Sequence, residues 1–109
     1  LGFKTAIISN AERPLQELLS EKYGGENQPQ FDAIVLSCEV GWAKPDWEIY
    51  RLGCERLNIA PEFGVFIDDN MINVEAFRNF GGYGIHHLTD EKTVQELSSI
   101  LDYQLSLDN

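Results

Sequence analysis

Two adjacent carboxylates, Asp68 and Asp69, close the apolar run "GVFI" and stand just ahead of a helical pattern that begins near residue 71. Like charges side by side repel, and a helix N-terminus needs only one acid or amide to satisfy its orphan N–H groups. Asp68, Asp69 and Asn70 therefore over-provide for capping, although capping alone is one reading of them. The other reading is a hard oxygen site. Mg2+ suits it, because that ion keeps several waters and takes one or two protein carboxylates together with a substrate phosphate. Asn73 follows Asp69 by four residues, close to one helical turn, and can orient a ligand or a metal-bound water. Lys44, in "GWAKP", is either a solvated lysine opening a helix or the cation that ties such carboxylates to a phosphate. At about 4 Å and an effective dielectric near 20, one such contact is worth on the order of 4 kcal/mol before desolvation. Ser9 ends another apolar run, "TAIIS", and Asn10 follows it. Either can cap a following helix, or a hydroxyl with neighbouring backbone N–H groups can hold a phosphoryl oxygen there.

These residues need elements to position them, and the periodicity supplies two kinds in alternation. Residues 5–9, 33–37, 64–68 and 83–87 are short apolar runs whose β-branched and aromatic content suits strands buried on both faces. Helical patterns lie between and after them. Residues 14–22 carry Pro14 at a first-turn position, with Leu15, Leu18 and Leu19 on one face. Residues 45–58 place Tyr50, Cys54 and Leu57 on a stripe, 71–80 carry Val74 and Phe77, and 92–103 carry Val94, Leu97, Ile100 and Leu101. Gly24-Gly25 and Gly81-Gly82 stand where two of these helices should stop. Strand and helix alternating four times predict an α/β fold with a parallel sheet. In such sheets ligands bind outside the carboxyl ends of the strands, and Ser9-Asn10, the "SCEVGWAKP" loop and Asp68-Asp69 all fall at those ends.

Composition excludes several partners. The 109 residues suit one domain, and 43% hydrophobic with 11% aromatic content argues for a folded globule. Eighteen acids against eight bases give a net charge of −10, which opposes binding to nucleic acid or anionic lipid. It does not oppose a phosphorylated substrate where a local cation reverses the field. Cys38 and Cys54 lack metal-type spacing and read as free thiols of a reducing, cytoplasmic compartment. No apolar run approaches the roughly 20 residues that span a bilayer. His86 and His87 have no partner at a defensible spacing, and Trp42 and Trp47, which flank Lys44, are expected to pack its loop onto the sheet.

In that order, "IISNA", "GWAKPDWEIY" and "VFIDDNMINVEAF" resemble motifs II, III and IV of the haloacid dehalogenase-like (HAD) hydrolase superfamily, in its phosphatase-like subfamily I. The resemblance covers most of the chain. It implies a Rossmann-like three-layer sandwich with a parallel sheet, and an Mg2+-dependent phosphatase or phosphotransferase that works on a small phosphorylated metabolite through an aspartyl-phosphate. Residue by residue, it implies that Ser9, with Asn10 beside it, binds the phosphoryl group and that Lys44 steadies nucleophile and phosphate. Asp69 would ligate Mg2+ directly, Asp68 directly or through water, and Asn73 would orient them from behind.

The sequence departs from that pattern at one point. The family's first motif, a strand ending Asp-x-Asp whose first Asp attacks phosphorus, does not occur in these residues, nor does the cap domain that chooses the substrate. Asp32 precedes its strand and Glu39 lies in a loop, so neither replaces the nucleophile. In the family the motif I strand sits mid-sheet between the motif II and motif IV strands. Residues 1–109 are therefore expected to be the C-terminal portion of a HAD-like core domain. The expected partner is an N-terminal segment of the same protein, in cis or as a separate chain. The alternative is a non-catalytic phosphate-binding or interaction module with a degenerate form of the fold. A haloacid dehalogenase is a weaker alternative, because those enzymes lack the metal and replace the acidic pair that Asp68-Asp69 retains.

Overall fold

The computed structural model of the chain describes residues 3–10 and 31–107. The expected helix over 14–22 and the Gly24-Gly25 stop lie outside those residues. The chain divides into two compact units, 1–59 and 60–109.

In the first unit, β1 (Ala6–Ser9) pairs in parallel with β2 (Ala33–Leu36), with Ala6 opposite Ala33 and Ser9 opposite Leu36. A single helical turn, α1 (Ser37–Val40), follows β2 where a loop was expected. Gly41 allows it, taking φ 82° and donating its N–H to the Ser37 carbonyl at 3.0 Å. The helix expected over 45–58 is α2 (Trp47–Leu57), and it buries Ile49, Tyr50 and Cys54 with Val35 and Leu36. Gly53 lets it approach β1 closely, for a Cβ there would come within 2.8 Å of Ile8 Cδ1. Burial pushes the Cys54 thiol pKa up, and both cysteines are free, as the spacing suggested. At the helix end Asn58 turns left-handed at φ 55°, while Lys4 Nζ donates to the Leu57 carbonyl at 2.7 Å.

In the second unit, a short 3-10 turn (Pro61–Phe63) leads into β3 (Val65–Asp68), which pairs in parallel with β4 (Tyr83–His86). Between them runs α3 (Met71–Phe80), over the residues the pattern predicts. It buries Val74 and Phe77 beneath the sheet, with Phe77 5.4 Å from Phe66 between ring centroids. The last helix, α4 (Asp90–Leu107), starts two residues before the expected 92, because the Thr89 hydroxyl accepts from Lys92 N–H at 3.2 Å. One member of its expected stripe is replaced, while Leu97, Ile100 and Leu101 stay half-buried. Thr93 is buried and Val94 is exposed, since the Thr93 hydroxyl meets His87 Nδ1 at 2.6 Å. Among the described residues no helix is long and apolar enough to cross a membrane.

Hydrogen bonding sets which strand edges stay open. In a parallel ladder alternate residues send both peptide groups to the same neighbour. Ala33 N–H bonds the Thr5 carbonyl, so Ile34 and Leu36 point their peptides away from β1. Tyr83 and His87 N–H bond Gly64 and Asp68 carbonyls, so Gly84 and His86 point away from β3. Both outward edges are blunted by arginine. Arg56 donates to the Ile34 carbonyl at 3.0 Å, and Arg78 donates to the Gly84 carbonyl through Nε at 3.2 Å and Nη2 at 2.9 Å. The opposite edges differ. The peptide groups of Ala6 and Ile8 on β1, and of Val65 and Ile67 on β3, point away from their ladder partners and meet no further strand among the described residues. Ile67 is also exposed, against the expectation of strands buried on both faces.

The close approach of α3 to β4 yields a test. A Cβ on Gly84 would lie 2.8 Å from Val74 Cγ1 and 3.0 Å from the Val74 carbonyl, which is helix backbone and cannot step aside. Gly84→Ala is expected to lower unfolding free energy by about 1–3 kcal/mol in a urea titration.

Candidate active site

Ser9, Asn10 and Lys44 belong to the first unit, and Asp68, Asp69 and Asn73 to the second. In the first, β1 carries Ser9 to its carboxyl end, half-buried, and Asn10 follows. Asn10 joins a residue 34 positions away: its Nδ2 donates to the Lys44 carbonyl at 3.0 Å and its Oδ1 accepts from Lys44 N–H at 2.7 Å. The loop is also closed on itself. Asp46 N–H donates to the Ala43 carbonyl at 2.8 Å, and Ala43 N–H reaches the Asp46 carboxylate at 3.4 Å. Lys44 is half-buried, and its peptide bond to Pro45 is cis. The flanking tryptophans do not pack the loop as expected. Trp42 and Trp47 are both exposed, and the Trp47 ring lies 5.7 Å from the Arg51 guanidinium.

In the second unit the capping question is settled by Asn70. It is the N-cap of α3, its Oδ1 accepting from Ile72 N–H at 3.0 Å, and one amide suffices. Asp68, at the carboxyl end of β3, is oriented through both carboxylate oxygens. Oδ1 accepts from Asn70 N–H at 2.8 Å and Oδ2 accepts from Asn73 Nδ2 at 3.2 Å. Asn73 is buried in the first turn of α3, so the amide expected to stand behind the acids touches Asp68. Asp69 is exposed and does not cap the helix. Its backbone carbonyl lies 2.9 Å from His86 Nε2; a carbonyl only accepts, so that nitrogen carries the proton. His87 bridges the Thr93 hydroxyl and, at 3.4 Å, the Asp90 carboxylate.

Spacing arguments pass over His86, whereas Asn70 stood among the capping candidates. Asn70 had a signal, as an Asx residue one step before a helix. His86 had one only through strand register, which sets it opposite Asp68. Among the described residues no group of three or more His, Cys, Asp or Glu is placed to hold a metal. The Asp68-Asp69 pair still has the donor chemistry of a Mg2+ site, since that ion draws most of its coordination from water and substrate phosphate.

Known proteins resemble the chain over most of its length. The family model for haloacid dehalogenase-like hydrolases matches residues 1–81. Acyl-CoA dehydrogenase family member 10 of Mus musculus is 31% identical over 106 residues, a match covering 97% of this chain and 10% of that protein. The phosphorylated carbohydrates phosphatase of Thermotoga maritima is 36% identical over 91 residues, covering 80% of this chain and 42% of that protein. The matched part of the chain thus spans a tenth of the first relative's length and less than half of the second's. A HAD family enzyme of Bacteroides thetaiotaomicron, crystallised with magnesium and inorganic phosphate, superposes with a TM-score of 0.66 at 24% identity, over 78% of this chain and 45% of that one. At that identity the likeness is one of fold.

The division of labour between Asn70 and Asp69 is open to measurement. Asn70→Ala should cost about 1 kcal/mol of stability through the lost cap. Asp69→Asn should stay within about 0.5 kcal/mol of the unsubstituted chain, as an exposed side chain outside the cap does. Equal losses in thermal or urea unfolding would return Asp69 to a capping role.

Proposed function

Because the chain belongs to the haloacid dehalogenase-like hydrolase family, we propose that residues 1–109 form the C-terminal portion of the core domain of a Mg2+-dependent phosphatase or phosphotransferase. Its substrate is a small phosphorylated metabolite. The nucleophilic Asp-x-Asp lies on a segment outside this sequence, in cis or as a separate chain. The observation that carries the reading is Asp69: an exposed carboxylate at a strand's carboxyl end, relieved of capping by Asn70 and beside an Asp68 oriented through both oxygens. The apolar edges at Ala6/Ile8 and Val65/Ile67, whose outward peptide groups meet no further strand among the described residues, support a strand supplied from elsewhere, since the outward edges of β2 and β4 are the ones arginine blunts.

Each side chain has a task in this scheme. The Ser9 hydroxyl hydrogen-bonds a phosphoryl oxygen. Lys44 lies against the nucleophilic carboxylate and the phosphate, so that two anions can approach in a protein of net charge −10. Asp69 and Asp68 hold Mg2+, with Asn73 fixing the Asp68 carboxylate. When bound, the ion offsets charge on the transferring phosphoryl group. The attacking carboxylate forms the aspartyl-phosphate as the alcohol departs, and water then cleaves it, splitting one difficult step into two easier ones. The free thiols of Cys38 and Cys54 support a cytoplasmic setting.

In the full-length protein, Asp69→Asn is expected to weaken Mg2+ binding and to lower turnover of a generic phosphate ester by at least about 100-fold. Undiminished Mg2+ affinity would remove the metal assignment. Binding of Mg2+ and phosphate with no turnover by the unsubstituted protein would leave the non-catalytic module.

A further inference from the structure

We propose that the Asn10 side chain is a positioning group for Lys44, gripping the lysine's backbone, and that this side chain does not serve as a contact for the phosphoryl group. The proposal rests on the reading of Lys44 as the phosphate cation.

Three observations lead to it. The Asn10 amide places both its polar atoms on one residue, Nδ2 on the Lys44 carbonyl at 3.0 Å and Oδ1 on Lys44 N–H at 2.7 Å. It thereby reads Lys44 as a neighbouring strand would, a donor and an acceptor facing an acceptor and a donor. The bonds from Asp46 N–H to the Ala43 carbonyl and from Ala43 N–H to the Asp46 carboxylate run within the turn and shape it. Asn10 joins the Lys44 turn to the end of β1. Finally, Asn10 directly follows Ser9, so the clamp fixes the lysine backbone relative to the strand end that presents the hydroxyl.

The residue type fits the task. Aspartate would set an anionic oxygen against the Lys44 carbonyl, serine reaches with a single atom, and glutamine is longer by a methylene. Only asparagine offers both partners at this reach. Since Lys44 must stabilise charge at a fixed point, a loosened backbone lowers its effect even with the ammonium group retained.

A double-mutant cycle on the full-length protein separates this role from direct contact. Inorganic phosphate affinity, read by calorimetry with Mg2+ present, is expected to fall about 10- to 100-fold on Asn10→Ala. In the Lys44→Ala background, Asn10→Ala should cost nothing further, because the two act as one unit. Hydrogen exchange of the Lys44 amide should quicken in Asn10→Ala with global stability near that of the parent. Asn10→Ser, which also loses the paired contact, gives the same readouts if the alanine variant does not fold. Losses that add in the double mutant overturn the proposal, since Asn10 then binds phosphate on its own account. Faster exchange with unchanged phosphate affinity overturns it as well, by making the clamp purely structural. If Lys44→Ala alone leaves phosphate affinity intact, the reading of Lys44 falls and takes the proposal with it, an outcome distinct from either of the others.

Discussion

A peptide group removed from water must find a hydrogen-bond partner, and in this chain strands of only four residues leave many that no ladder or helix can satisfy. Side chains take up some of them, at strand ends and on the outward edges of β2 and β4. Asn10 pairs with both peptide groups of Lys44, Asn70 accepts from the first turn of α3, and His86 donates to the Asp69 carbonyl. Arg56 and Arg78 close the outward edges of β2 and β4. Such bonds, made in exposed positions, contribute only about 0.5–1.5 kcal/mol each in net terms, and their directionality fixes local geometry. Their consequence for chemistry is a separation of tasks. Amides, a histidine and arginines hold the backbone, and the exposed Asp69 carboxylate is not called upon to cap the helix it precedes.

Much of this was legible in the sequence because apolar periodicity is a direct record of burial. The strand-helix alternation gave the α/β class, and α3 matched its pattern because Val74 and Phe77 have one face on which to pack. Ser9 and the Asp68-Asp69 pair stood at predicted strand ends and Lys44-Pro45 in a predicted loop, and with them the family could be recognised. What periodicity cannot carry is pairing between distant polar groups. The Asn10–Lys44 clamp spans 34 residues, and the His86 bond to Asp69 depends on a strand register that no local pattern encodes. The one-place error in α4 has the same origin. Thr93 is buried through a hydroxyl bonded to His87, where hydrophobicity alone selected Val94.

The account of function turns on a division within the catalytic constellation. This chain holds a serine, a lysine and an acidic pair suited to phosphate and Mg2+, and the family's nucleophile is the part its sequence does not contain. The edges left open at Ala6/Ile8 and Val65/Ile67 are apolar and carry no arginine on their peptide groups among the described residues, unlike the edges of β2 and β4. Under the proposed function, a supplied strand would bring backbone partners for these edges together with the attacking carboxylate.

The most direct test mixes the purified 109-residue chain with a polypeptide carrying the Asp-x-Asp strand, and follows hydrolysis of a generic phosphate ester in Mg2+. The account predicts that the chain alone is no faster than buffer containing Mg2+ and that adding the segment brings metal-dependent turnover. Turnover by the chain alone, dependent on Mg2+ and abolished by Asp69→Asn, would contradict it.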